Sequence, residues 1–304
     1  MATKTSLLGL TKPAYTDAAD IAVLNTNFDM IDKAVGNGMR AENILDNSDF
    51  SAARFIAAAG LNGLHDAVVY LGDRWRGHAN ITATQQGSGV LLNASAATAY
   101  IMQRVHVKAG QVYTLAFYAT GRSGTHRMVA YNSGVTTIVA YDQAADRDLL
   151  VVNFTATEDT MAMLYYPGYA TNGGSGLLHW AALYEGAYTA DTLPAYVYKG
   201  YAAELLACQR YFMKVAAQPV NGWCYNWGRV TVFVPLPVTM RSAAPVVKLT
   251  AASSNYYIGS TSYPSTLKGC NATGNGVAVY FEHSNSGSGQ CVMPEFAADF
   301  IDDL

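Results

Sequence analysis

The chain has 304 residues, 51% hydrophobic and only 13% charged, with a formal net charge of −3 at pH 7. That charged fraction is about half the usual one, and no Lys/Arg-rich run is present, which argues against a sequence-independent grip on nucleic acid, since that needs clustered cations to displace counterions. No apolar run reaches the roughly 20 residues that cross a bilayer, so no membrane insertion is expected; residues 1–10 have one lysine and too short an apolar core for an export signal.

The first predicted element is a helix. Thr16 or Asp17 can cap it, and Asp17 and Asp20 suit its positive N-terminal end. Ile21, Leu24, Phe28, Ile31 and Val35 follow in alternating steps of three and four, the spacing of an a/d seam, and Gly36-Asn37-Gly38 can end the helix. The seam spans about two heptads, so self-association and packing on its own domain are both open.

From residue 43 to about 187 the period becomes strand-like. Over residues 74–84, Trp75, Ala79, Ile81 and Ala83 share one face, and Arg74, Arg76, His78, Asn80, Thr82 and Thr84 the other. Strand-like runs follow at 89–94, 100–107, 112–119, 127–131, 137–141, 149–156, 161–166 and 178–184, separated by turns such as Lys108-Ala109-Gly110, residues 121–124 and residues 171–176. Many short strands in this span predict a sandwich or jelly roll. After a boundary near 188–200, residues 201–213 predict a short helix or turn anchored by Leu205, Leu206 and Tyr211. A second β region follows, at 228–236, 245–251, 256–258, 276–281 and 295–300, with Pro235, Pro237 and Pro245 at strand ends or edges. The expected fold is therefore mainly β: a helical segment 1–40, a central jelly roll 41–200 and a C-terminal β-sandwich 201–304. No fixed-period repeat indicates a solenoid.

The chemistry-bearing residues are scattered. Asp142, Asp146, Asp148, Glu158, Asp159, Glu185 and Glu282 could supply the carboxylate pair of a glycosidase, but most lie in polar turns. His65, His78, His106, His126, His179 and His283 form no metal-binding pair, and there is no G-x-S-x-G elbow or P-loop. Cys208, Cys224, Cys270 and Cys291 match no zinc spacing and are expected as buried thiols. No catalytic residue, metal ligand or cofactor is assigned, and a structural calcium in the jelly roll has no sequence support. Binding is better served, because sugar rings lie on Trp and Tyr while their hydroxyls pair with Asn, Gln, Asp and Arg. The candidates are Trp223, Tyr225 and Trp227, which share a face if extended, and the turn-rich Tyr256, Tyr257 and Tyr263. In the central domain they are Tyr165, Tyr166 and Tyr169 beside a Gly-rich loop, with Arg76 and His78 on a sheet face. For the Trp-Tyr-Trp face, burial in the core or between subunits competes with ligand binding.

Three stretches together resemble the tail-fibre and receptor-binding proteins of bacteriophages and prophages. LLGLTKPAYTDAADIAVLNTNFDMID (7–32) looks like a segment that anchors such proteins to a tail or baseplate. ENILDNSDF (42–50) with GDRW (72–75) is similar to the opening of carbohydrate-binding-module-like jelly rolls in prophage tail proteins, although AARFIAAAGLNGL replaces the usual N-x-R-G stretch. AELLACQRYF (203–212) followed by VPLPVTMRSAAPVV (234–247) resembles a C-terminal tail-protein signature. The resemblance implies a homotrimer joined through the Ile21–Val35 seam, tail or baseplate partners at the N-terminus, and a place in the virion tail after synthesis in the host cytoplasm. It also implies attachment to host cell-surface polysaccharide without turnover. A purely structural tail component and a polysaccharide depolymerase are the rivals.

Overall fold

The computed structural model describes residues 3–5, 10–14, 20–38, 42–50, 68–72, 74–78, 80–87, 89–169, 173–241, 245–250, 255–273, 276–284 and 287–301. The chain divides into two compact units, Met1–Tyr198 and Lys199–Leu304.

The first unit begins with a short hairpin, β1 (Thr3–Lys4) and β2 (Thr11–Lys12), and then helix α1 (Ile21–Gly38). Asn27 ties the two together: the Thr11 N–H donates to its Oδ1 at 2.9 Å, and its Nδ2 donates to the Thr11 carbonyl at 2.8 Å. The cap is Asp20, whose carboxylate accepts from the Ala22 N–H at 2.8 Å; Thr16 and Asp17 lie outside the described residues. The helix runs to Gly38, within the Gly36-Asn37-Gly38 stretch expected to end it. Along the seam, Leu24 and Ile31 are exposed and Ile21 and Phe28 keep 71% and 63% of their surface. The side chain of Val35 lies outside the described residues.

Eleven strands follow: β3 (Val68–Gly72), β4 (Trp75–His78), β5 (Ile81–Gln86), β6 (Gly89–Ala94), β7 (Ile101–His106), β8 (Val112–Ser123), β9 (His126–Asn132), β10 (Ile138–Ala144), β11 (Leu149–Thr155), β12 (Thr160–Tyr166) and β13 (Gly174–Glu185). They form two antiparallel sheets, β10-β9-β12-β7-β4-β3 and β11-β8-β13-β6-β5. Period-two alternation turns Trp75, Ile101, Met128, Met161 and Met163 of the first sheet toward Leu92, Leu115, Phe117, Leu178 and Leu183 of the second, giving one sandwich core of the jelly-roll kind. The run 74–84 is not one strand but two, β4 and β5, in different sheets. The chain turns at Asn80, whose N–H donates to His78 Nδ1 at 3.2 Å and takes a local partner in place of a ladder bond. Trp75 and Ile81 still both face inward.

The segment 42–50 clamps the two sheets. Asn43 Oδ1 accepts from the Leu45 and Leu183 N–H groups at 3.1 and 2.9 Å, and its Nδ2 donates to Ser48 Oγ and the Ala181 carbonyl at 2.9 and 3.0 Å. On the other sheet, Asp46 exchanges two 2.8 Å backbone bonds with the Gln103 amide. Trp75 Nε1 donates to the Asn47 carbonyl at 2.8 Å, and Arg74 reaches Asp46 and the Arg104 carbonyl. The ENILDNSDF and GDRW stretches thus satisfy one another's buried polar groups, as burial requires. Residues 186–198 cover the outer face of the five-stranded sheet: Tyr196 stacks on Trp180 at 5.2 Å and Tyr188 meets Tyr184 edge-on at 6.3 Å.

The second unit opens with α2 (Tyr201–Gln209), which buries Glu204 and Cys208 rather than the expected anchors Leu205 and Leu206. It ends early because the Tyr211 N–H bonds back to the Cys208 carbonyl, tightening the last turn. Then come β14 (Phe212–Tyr225), β15 (Arg229–Pro235), β16 (Val246–Leu249), β17 (Tyr256–Ile258), β18 (Thr261–Tyr263), β19 (Thr266–Thr273), β20 (Gly276–Glu282) and β21 (Gly289–Ile301). They make one antiparallel sheet, β18-β17-β21-β14-β15-β20-β19, with β16 on the far end of β21. The long pair β14–β21 shifts register between Val215 and Gln218 and again between Gln218 and Val220. Pro219 and Pro294 sit in this interruption, where a missing N–H costs no ladder bond. The sheet bends so that β16 meets β19 and its inner side closes on Val220, Val230, Val232, Val279, Phe281 and Phe300. All four cysteines are buried thiols outside any disulfide, and burial pushes the pKa of Cys270 and Cys291 up to about 11.

Candidate functional site

In the second unit the alternation that buries Cys224, Val230, Val232, Val279, Phe281 and Cys291 leaves a broad outer face. Cross-strand register sets one row across five strands: Gln290 of β21, Trp223 of β14, Thr231 of β15, Tyr280 of β20 and Gly269 of β19. The next row is Tyr225, Arg229, Glu282 and Thr266. Trp227 stands in the turn after β14, where Gly228 takes a φ of 91°, and its ring reaches back to within 5.1 Å of Tyr225. Trp223 and Trp227 keep 45% and 62% of their surface. Within this chain the Trp-Tyr-Trp face is therefore not core.

Two grooves of about 640 Å³ each lie on this face. Trp227, Arg229, Lys268, Asn271, Tyr280 and Glu282 line one; Trp223, Tyr257, Asn221, Gln290 and Val292 line the other. In the first, Asn271 Nδ2 donates to the Tyr280 hydroxyl at 2.9 Å and Lys268 pairs with Glu282 at 2.9 Å. The Arg229 guanidinium lies 3.7 Å over the Tyr280 ring. Flat rings beside amide and charged groups suit a ligand with both apolar faces and hydroxyls.

The sequence candidates divide by strand parity. Tyr257 faces outward with Trp223, but Tyr256 is a correction: it is fully buried, with the Cys224 thiol 3.6 Å from its hydroxyl. Tyr263 stacks on Tyr256 at 5.5 Å and packs against the core. These tyrosines belong to strands β17 and β18 rather than to a loop, so neighbours in sequence face opposite ways. Arg229, Lys268 and Tyr280 were not singled out from sequence. Val230, Val232 and Val234 alternating with Arg229, Thr231 and Phe233 was the available signal for Arg229; the polar, Gly-containing β19 offered none.

The first unit brings others together. On the outer face of the six-stranded sheet, Arg76, Met102, Leu164, Val129 and Tyr141 form a row across five strands. Beside it runs an aromatic chain: His78–Tyr100 at 5.8 Å, Tyr100–Tyr166 at 5.5 Å and Tyr166–Tyr169 at 5.7 Å. Arg127 lies over both Tyr169 and Tyr141, at 4.3 and 4.1 Å. Burial, with a hydrogen bond to Tyr131, pushes the Tyr166 phenol well above its ordinary range. Tyr165 is the second correction. One step along β12 from Tyr166, it points into the core, stacks on Phe117 at 5.2 Å and lies 3.1 Å from His126 Nδ1. Most rings of this chain are half-buried against one another, unlike the open rings of the second unit.

The carboxylates hold turns and ion pairs. Asp142 accepts from Arg147 and the Val151 N–H, Glu158 from Ser133, and Asp159 from the Ala109 N–H. Glu185 accepts from Gln111, and Asp148 pairs with Arg122. Among the described residues no group of three His, Cys, Asp or Glu side chains could hold a metal ion. His65 lies outside them.

No family model and no curated protein matches the chain. Solved structures similar to parts of it include one described as CBM4, at 10% identity over 35% of this chain and 78% of that one, with a TM-score of 0.29. TmCBM61 in complex with β-1,4-galactotriose matches at 13% identity over 48% of this chain and 99% of its own, with a TM-score of 0.30. The N-terminal CBM22-1–CBM22-2 tandem domain of Paenibacillus barcinonensis Xyn10C matches at 9% identity over 86% and 98%, with a TM-score of 0.27. At TM-scores of 0.30 and below, these likenesses carry no argument about what this chain binds or does.

Proposed function

We propose that this protein binds saccharides without transforming them, as the host-attachment component of a phage or phage-derived tail. One observation carries the binding: the outer face of the C-terminal sheet holds Trp223 and Trp227 open to solvent, with Tyr225 half-buried, beside Asn221, Asn271, Gln290 and Arg229. Pyranose C–H faces lie on such rings, and the amides and the guanidinium pair with ring hydroxyls. A single site of this openness binds weakly. Three copies joined through α1 raise the effective concentration and turn weak contacts into firm adhesion. The exposed Ile21, Leu24, Phe28 and Ile31 supply a seam for that trimer, and the resemblance of residues 7–32 to tail-anchoring segments supports its place on a particle.

A glycan array probed with the intact protein tests the reading. Retention of host-surface polysaccharides, lost in Trp227→Ala and Trp223→Ala, is the expected result. Silence across all host polysaccharides, with no adhesion to cells, overturns it. The isolated protein should also block particle adsorption, which a purely structural tail component would not do.

A further inference from the structure

We propose that the groove around Arg229 is an anion subsite, holding a carboxylate or phosphate carried by the saccharide whose ring lies on Trp227. This rests on the saccharide reading above and adds the charge of the ligand. Arg229 and Glu282 stand directly opposite in the β15–β20 ladder, where oppositely charged side chains ordinarily pair. Here Glu282 is held by Lys268 at 2.9 Å instead. The Arg229 guanidinium lies 3.7 Å over Tyr280 and 5.7 Å from the centre of Trp227, and among the described residues no carboxylate pairs with it. A guanidinium set against aromatic rings still carries its N–H fork, which matches carboxylate and phosphate oxygens. With Lys268 and Glu282 neutralising each other, one positive charge in the groove is uncompensated.

Room for the ligand is built in. Gly269 occupies the place in the row opposite Tyr280, and a Cβ added there would meet nothing within 4 Å. The open volume of about 640 Å³ falls in the range of small-ligand sites. An acidic sugar would set its ring on Trp227 and its anionic oxygens on the Arg229 fork.

The test is calorimetric titration of the full-length protein with three oligosaccharide probes of matched length: a neutral β-1,4-glucan, an oligoglucuronate, and a hexose-bearing glycerol-phosphate oligomer. One anionic probe should bind about tenfold or more tighter than the neutral one, and the advantage should shrink between about 50 and about 300 mM NaCl. Whichever anionic probe wins identifies carboxylate or phosphate as the source. Arg229→Gln should cut the preference to within about twofold while neutral binding persists, and Arg229→Lys, which keeps the charge but not the fork, should restore only part of it. Gly269→Leu should weaken every probe that binds. Equal binding of neutral and anionic probes, or a preference that survives Arg229→Gln, overturns the anion subsite alone, provided Trp227→Ala still abolishes binding. Failure of all three probes to bind overturns the saccharide reading with it.

Discussion

Tryptophan has two opposite uses in this chain. Trp75 is wholly buried, donates to the Asn47 carbonyl and touches Phe50 and Phe117, so Trp75→Ala should cost on the order of 3–5 kcal/mol by leaving a large cavity. Trp227 has most of its ring in water, and Trp227→Ala should leave the unfolding free energy within about 0.5 kcal/mol while abolishing saccharide retention. Chemical denaturation of both variants beside a binding assay separates the two roles. Sequence identified aromatic clusters without telling which ring faced out. In Tyr165-Tyr166 and Tyr256-Tyr257 one member of each pair had to point inward, and which side of each strand met the core, a matter of tertiary packing, decided which.

His126 makes a pH-dependent contribution. Burial lowers its pKa from 6.5 to about 4, with Arg122 adding to the fall and the Arg147 carbonyl opposing it. The unfolded chain takes up a proton near pH 6.5, the folded protein only near 4, so the unfolded state binds more protons in between. Stability from this group is complete above pH 6.5 and is lost as pH falls toward 4, by roughly 3 kcal/mol. Urea unfolding across that window should show a shallower fall for His126→Gln than for the native chain; equal slopes would remove His126 from the account.

Among the elements, those with clean alternation were legible. The runs 89–94 and 256–258 match β6 and β17, and several others fall within a residue or two of theirs. The single strand expected over 74–84 failed because alternation survives a turn: Trp75 and Ile81 face the same core from different sheets. Long β14 and polar β19 escaped because Pro219 interrupts one and Lys268-Gly269 the other. The 42–50 clamp was read only as a family mark, yet its work is structural. Asn43→Ala strands the Leu183 and Leu45 N–H groups and should cost about 2–3 kcal/mol, measurable as a lowered denaturation midpoint.

On the scale of the whole molecule, the seam of α1 awaits the partners that the trimer proposal supplies. Phe28→Asp should convert a trimer into monomers by sedimentation while the far-ultraviolet spectrum of the β-units holds, because Phe28 is exposed in the single chain. A wild-type monomer would end the proposal. The paired prolines of the C-terminal sheet bear on how such an assembly ages. A strand that slides by one residue turns its apolar side chains to water and its polar ones inward. With Pro219 and Pro294 fixed at the same step of β14 and β21, such a slide would also bring an imide nitrogen before a carbonyl that needs a proton. Sheets locked in this way resist both creep and templating by a neighbouring chain, so if the protein serves on a particle as proposed, its C-terminal sheet would stay in register through long exposure without repair.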